Sequence, residues 1–169
     1  MGVSPAPTDD RPDGVAFLLA QLGYHAAELF ARRIAPLGLT PPQAGILRAI
    51  AAAPGRSQQA LSQQLDLLPS RVVAFVDDLE GRGLLERRRN PDDRRLHALY
   101  LTASGKKLMR KLSEAAREHE RDLTAGLDDE QRAQLRHLLA GIADSQGLAA
   151  HVHPGYRGIG RAGVVTTAL

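Results

Sequence analysis

PSRVVAFVDDLEGRGLLERRRNPDDRRLHALYLTASG, residues 69–105, changes halfway from a helical to an extended pattern. Its first part carries apolar residues at i, i+3, i+4 and i+7, the spacing of a helix with one buried face. These residues are Val72, Phe75, Val76 and Leu79. Gly81 and Gly83 end that helix, and residues 84–88 and 96–101 then look like two strands joined by the turn signal NPDD. The stretch therefore predicts a helix followed directly by a charged hairpin.

Three more helices are predicted before this stretch. Val15 opens an apolar helical periodicity that the prolines of APLGLTPP end. Pro41 and Pro42 suit the first turn of a second helix, and Ser57 is a good N-cap for a short third one. Only about four residues separate the third helix from the helix that begins at Pro69, as a helix-turn-helix requires. Together with the hairpin, this order predicts a mainly α fold with a small β-wing, the winged helix-turn-helix.

Two long helices are predicted after the hairpin. Thr102 is the N-cap of the first, which extends roughly to Gly126. Asp128 and Gln131 have the spacing of a capping box at the start of the second. That helix carries an apolar stripe, and the long helices at both ends of the chain are too apolar to stand alone. The stripe consists of Leu135, Leu138, Leu139 and Ile142.

Composition excludes several classes of protein. The chain has 169 residues, a net charge of +3 and no cysteine, so disulfides, thiolate metal sites and thiol redox switches are ruled out. No apolar run approaches the roughly 18 residues of a membrane span, and the acidic, Pro-rich start does not resemble a signal or transit peptide. We therefore expect a cytoplasmic protein without a membrane partner. Since the sequence has neither a GxSxG elbow nor a Gly-rich phosphate loop after a strand, we expect no enzyme activity and no cofactor.

The helix that begins at Pro69 has a second face that suits the major groove of DNA. Its N-terminal half presents Ser70, Arg71, Val73 and Ala74. The positive end of the helix dipole favours phosphate, Arg71 can pair with guanine, and the two apolar side chains can pack on thymine methyl groups. The alternative is an amphipathic surface helix that binds nothing.

Five arginines and an aspartate make the hairpin a candidate for DNA contact. Arginines on the first strand would lie near phosphates, and those at the tip could enter a narrow minor groove, where the negative potential is enhanced. A carboxylate at the tip could orient a neighbouring guanidinium. The alternative is a solvated turn, but a hairpin that directly follows the recognition helix falls beside the same duplex. The candidates are Arg87, Arg88 and Arg89 on the strand, and Asp93, Arg94 and Arg95 at the tip.

Residues 69–105 resemble the multiple-antibiotic-resistance regulator (MarR) family of bacterial winged-helix repressors, and the likeness extends roughly from Val15 to Gly147. The resemblance implies a homodimer built by the first and last helices, with Arg95 in the minor groove and Asp93 supporting it. Its most specific part is a pattern at fixed spacing: Asp93, Arg95, Leu101, Thr102 and Gly105. The chain departs from many members at Val73, Ala74 and Asp78, where they carry polar or basic residues, so we expect a different operator.

The resemblance implies a domain organisation between two irregular ends. The first residues are Pro-rich and lack apolar periodicity, and the last are rich in Gly. The predicted ranges are a disordered arm, 1–12; a MarR-like domain, 13–147, with the winged helix-turn-helix at 38–101 and dimerisation helices at 13–37 and 102–147; and a C-terminal tail, 148–169.

The function implied is that of a homodimeric, sequence-specific transcriptional repressor that binds an inverted-repeat operator in double-stranded DNA. A small aromatic or anionic effector would release it, and the nearest candidates for its site are Tyr24, His25, Phe30 and Arg48. Ordinary packing and surface charge are the alternative explanation for those four residues. A zinc-responsive repressor is a further alternative because His151 and His153 alternate in the tail, although we assign no metal site. A protein-interaction module that keeps the winged fold is the last alternative.

Overall fold

The computed structural model describes residues 14–89 and 97–148, and it confirms the mainly helical fold with a small antiparallel wing. None of the helices within these two ranges is long and apolar enough to cross a membrane. In chain order the elements are α1 Val15–Ile34, a 3-10 turn Ala35–Leu37, α2 Pro41–Ala52, α3 Gln58–Leu65, α4 Pro69–Gly81, β1 Leu85–Arg89, β2 His97–Leu101, α5 Ala103–Leu123 and α6 Asp129–Ser145.

The two strands form the base of the wing. They pair antiparallel, from Leu85 opposite Leu101 to Arg89 opposite His97. The α2–α3 connection lies along the free edge of β2, where the N–H of Gly55 donates to the carbonyl oxygen of Leu99 at 2.9 Å. The hairpin is therefore tied at its base to the helices that precede α4.

The core lies between α2, α3, α4 and the hairpin. All the residues that it buries completely are aliphatic, and they come from each of these elements, with α1 and α5 adding one residue each at the edge. Burial on this scale stabilises a fold by roughly 1.5–3 kcal/mol per large side chain. The largest are Ile34, Ile46, Leu47, Ile50, Leu61, Val72, Val76, Leu79, Leu85, Leu99 and Leu112.

The predicted helix starts are confirmed, while three boundaries differ. The side chains of Ser57, Thr102 and Asp128 each accept a backbone N–H from the first turn of their helix. The first strand spans Leu85–Arg89 rather than residues 84–88. It begins later because the N–H of Leu84 donates to the carbonyl oxygen of Leu79 and closes the end of α4, and it ends later because Arg89 pairs with His97. Helix α5 ends at Leu123, three residues before the predicted end at residue 126.

The two ends of the described chain are less buried than its centre. Helix α1 packs on α5, where the ring of Phe30 lies 5.4 Å from that of His119 and Arg33 pairs with Glu118 at 3.1 Å. Helix α6, which falls entirely in the described part of the chain, has no buried residue. Its predicted apolar stripe is exposed, and Leu138 is 56% accessible.

The start of α5 is held against the α4–β1 turn. The hydroxyl of Thr102 donates to the carbonyl oxygen of Gly83 at 2.7 Å and accepts from the N–H of Gly105 at 3.0 Å. Gly105 is buried, and a Cβ at this position would overlap the carbonyl oxygen of Leu84. This contact requires a glycine.

We predict that Gly105→Ala lowers the free energy of unfolding by about 3 kcal/mol, because overpacking against backbone leaves no side chain free to move away. Thermal or urea unfolding followed by circular dichroism measures this change. The matched control is Gly81→Ala, since nothing lies within 4 Å of a Cβ there. Equal unfolding free energies for the two variants would contradict the close approach.

Candidate nucleic-acid interface

A short turn sets α4 against α3. Three residues separate the helices, and Asp66, the first of them, has a left-handed backbone with φ 50°. The buried hydroxyl of Ser62 donates to the carbonyl oxygen of Leu67 at 2.6 Å, which ties α3 to the turn. The connection is thus short and internally bonded, as in a helix-turn-helix.

Burial of one side of α4 determines which side faces solvent. Val72, Val76 and Leu79 are fully buried, and Phe75 is partly buried against the same core. The predicted DNA-binding residues then lie together on the other side, at the N-terminal end of the helix: Ser70, Val73 and Ala74 are exposed, and Arg71 is half-buried.

The acid at position 78 has partners within the protein. The Asp78 carboxylate accepts from Gln43 Nε2 at 2.8 Å and from Arg82 Nη1 at 3.3 Å. Gln43 belongs to the first turn of α2, and its Oε1 accepts the N–H of Thr40 at 2.8 Å. Sequence reasoning missed this connection, although Thr40 and Gln43 have capping-box spacing. Asp78 therefore links α4 to α2, which accounts for the acid at that position.

The three arginines of β1 lie on two faces of the hairpin because strand residues alternate between faces. Arg88 lies on the face turned away from α4, with its guanidinium 4.7 Å from the centroid of the Tyr100 ring and its Nε 3.0 Å from Glu86 Oε1. Arg87 faces α4. Arg89 shares that face and is exposed, and no ion pair joins it to another residue in the described ranges.

Arg87 is held by two acidic side chains of α4. Its guanidinium bonds the carboxylates of Asp77 and Glu80. Burial opposes the charge of Arg87, but the hydrogen bonds and attraction of the two carboxylates outweigh it, so the pKa of Arg87 is raised above its ordinary value. The guanidinium of Arg87 is therefore paired within the protein. An arginine that contacts phosphate would instead have a guanidinium free to bind DNA. The tip candidates Asp93, Arg94 and Arg95 lie outside the described residues.

The four effector candidates do not converge in one chain. Tyr24, His25 and Phe30 are spaced about 100°, 140° and 120° apart around α1, and Arg48 is an exposed residue of α2. The hydroxyl of Tyr24 donates to Glu28 at 2.9 Å, and this bond to a carboxylate raises the pKa of the phenol. Phe30 is packed against another helix, with its ring in contact with that of His119 on α5.

Sequence reasoning did not select His119, which has a perturbed ionisation. Burial against α1, together with the positive charge of Arg33, lowers the pKa of His119. In the described parts of the chain, no three histidine or acidic side chains meet in a way that could hold a metal ion. His151 and His153 fall outside those parts, so the zinc alternative stays a prediction.

Comparison with known proteins gives the family of this fold. A family model described as the MarR family matches residues 37–96. A proposed transcriptional regulatory protein for the hcr operon of Thauera aromatica is 35% identical over an alignment of 130 positions, and the match covers 72% of this chain and 78% of that protein. The chain belongs to the MarR family. As a MarR-type protein it is a DNA-binding transcriptional regulator, and members of this family are regulators rather than enzymes.

Solved MarR-type structures share this fold. The transcriptional repressor CouR, solved bound to a 23-mer DNA duplex, is 35% identical to this chain, with a TM-score of 0.69 over 83% of this chain and 99% of CouR. The apo form of MarR from E. coli has a TM-score of 0.70 at 22% identity, covering 79% of this chain and 98% of that one, and this likeness shows the fold alone.

We expect Arg89→Ala to weaken DNA binding and reduce its salt dependence more than Arg88→Ala does. Arg89 is exposed on the strand face that α4 shares, and we expect it to contact a phosphate there. Loss of one such contact would lower the slope of log affinity against log salt by about one unit. Arg88 lies on the opposite face over Tyr100. Anisotropy titrations of a labelled duplex from about 50 to 200 mM salt measure both slopes. Equal slopes in the two variants would contradict the expected phosphate contact of Arg89.

Proposed function

We propose that this chain is a homodimeric repressor that binds an inverted-repeat operator through two copies of the α4–hairpin lobe. The observation that carries the proposal is the exposed apolar surface at both ends of the described chain. On α6 it is a continuous stripe at helical spacing, and on α1 it includes side chains that are more than half exposed. The α1 members are Val15, Phe17, Leu22 and Tyr24.

A second copy of the chain is the partner that fits this surface. Exposed apolar area of this extent marks an interaction site, and a two-fold dimer covers the same stripe on both copies. The two α4 helices of such a dimer would meet successive major grooves, with half-sites about 10 bp apart. Two-fold symmetry in the protein therefore requires an inverted repeat in the DNA.

Each lobe is proposed to read DNA with two elements. At the start of α4, Arg71 pairs with a guanine, and Val73 and Ala74 pack on thymine methyl groups. At the tip of the wing, Arg95 enters the adjacent minor groove with Asp93 orienting it. With these roles the protein is proposed to act on chromosomal DNA in the cytoplasm.

Release of the operator by a small aromatic or anionic effector completes the proposal. It is supported by the family to which the chain belongs and by the junction of α1 with α5, where the rings of Phe30 and His119 are in tilted contact beside the cation of Arg33. Tyr24, His25 and Arg48 could contribute to one site only across a dimer, because they face different sides within one chain. An effector bound there would act on the helices that connect the two lobes.

We expect Leu138→Glu to convert the dimer into a monomer, because it places a charge in the centre of the α6 stripe. Operator affinity should then fall by roughly 10²–10⁴-fold, since the two DNA-binding lobes are no longer linked in one dimer. Sedimentation velocity gives the oligomeric state. A mobility shift with the inverted repeat found beside the gene gives the affinity.

The matched control for this experiment is Ala140→Glu, which introduces the same side chain at an exposed position about 160° away around α6. The control should remain dimeric and bind the operator normally. A wild-type protein that sediments as a monomer at micromolar concentration would contradict the proposed dimer.

A further inference from the structure

Arg87 joins the wing to the recognition helix. Its Nη1 bonds Glu80 Oε2 and its Nη2 bonds Asp77 Oδ1. The backbone N–H of Arg87 also donates to Glu80 Oε1 at 2.9 Å, so one carboxylate holds both the main chain and the side chain of the same strand residue. We call the contacts of Arg87 with Asp77 and Glu80 the bracket.

A third element completes the bonding of this guanidinium. With its amide oxygen turned toward Arg87, Gln58 accepts from Nε and from Nη2 at 2.9 Å each. Gln58 is the first residue of α3, directly after the Ser57 N-cap. Because a guanidinium is planar and carries five donors in a fixed fork, Arg87 fixes α3, α4 and β1 relative to one another.

We propose that Arg87 is a positioning residue that sets the angle between α4 and the wing, and that it touches no DNA itself. The inference rests on the proposed DNA-reading lobe and explains how its two parts keep one relative orientation. A two-stranded hairpin has little stability of its own. Its base is fixed by the buried Leu85 and Leu99, whereas the bracket acts further out, two residues before the end of β1.

The same contacts reduce the negative charge on the solvent-facing side of α4. Asp77 and Glu80 lie in the C-terminal half of α4, and free carboxylates beside a duplex would repel phosphate. Arg87 offsets part of that negative charge within the protein. Its side chain is only 20% exposed, while that of Asp77 is 58% exposed, so the guanidinium lies beneath a carboxylate that is nearer to solvent.

If the bracket positions the wing, one substitution should change DNA affinity in the direction opposite to that expected from charge alone. Glu80→Gln removes a negative charge from the DNA-binding lobe, so a purely electrostatic effect would strengthen binding. The new amide has only one oxygen, so it cannot accept from both the backbone N–H and the Nη1 of Arg87, as the carboxylate does, and the bracket is weakened. We expect operator affinity to fall on the order of tenfold, the effect of one disturbed base contact. Asp77→Asn, at a more exposed position, should produce a smaller loss in the same direction.

The control variant is Glu86→Gln, which neutralises an acid on the opposite face of β1, one residue before Arg87. It should leave operator affinity unchanged or raise it. Circular dichroism and thermal unfolding establish that every variant is folded at the temperature of the titration. If Glu80→Gln fails to fold, the loss of operator affinity in Asp77→Asn tests the same contacts.

Two further measurements separate positioning from phosphate contact. Arg87→Gln should lower affinity at every salt concentration while leaving the slope of log affinity against log salt unchanged, whereas loss of a phosphate contact lowers that slope by about one unit. The double variant Arg87→Gln with Glu80→Gln should lose no more affinity than the weaker-binding single variant, because both remove the same interaction.

The outcomes are distinct. If wild type binds the operator and folded Glu80→Gln binds as well or better, the bracket does not position the wing, although the proposed function stands. A reduced salt slope for Arg87→Gln would make Arg87 a phosphate contact and overturn the inference. Failure of the wild-type protein to bind any inverted repeat would instead refute the proposed function.

Discussion

The complete burial of one side of α4 is the constraint on which the rest of the structure depends. Val72, Val76 and Leu79 have no exposed surface, so the helix cannot rotate about its axis without moving aliphatic side chains into water, at roughly 1.5–3 kcal/mol each. That fixed rotation brings Ser70, Val73 and Ala74 to the outside. The polar contacts then hold the C-terminal half of the helix from both sides, through Asp78 to α2 and through Asp77 and Glu80 to β1.

The acidic residues of α4 illustrate how charge is divided in this lobe. An aspartate pair in a DNA-reading helix is unfavourable when its carboxylates are free, but each has a cation within the protein: Arg87 for Asp77 and Arg82 for Asp78. The N-terminal end of the helix, which is proposed to read DNA, carries Arg71 and the positive end of the helix dipole. The charges proposed to bind DNA, Arg71 and the exposed Arg89, are therefore different from those paired within the protein.

Local patterns in the sequence were sufficient for most of the fold. Helix α4, the hairpin and the caps at Ser57, Thr102 and Asp128 depend on neighbours within a few residues, and each was predicted from spacing. The partners of Arg87 and Asp78 were not, because Gln43 lies 35 residues from Asp78 along the chain. Strand alternation could have separated Arg88 from Arg87 and Arg89. For the effector candidates on α1, helical spacing alone already indicated different sides, whereas any site shared between subunits depends on a second chain.

Methylation interference on the operator tests the central claim, that α4 and the wing read one duplex as two lobes of a dimer, most directly. Methyl groups on guanine N7 lie in the major groove, and those on adenine N3 lie in the minor groove. The account predicts two inverted clusters of interfering guanines about 10 bp apart, each followed on its outer side by interfering adenines. A single cluster, or interference confined to one groove, would contradict it.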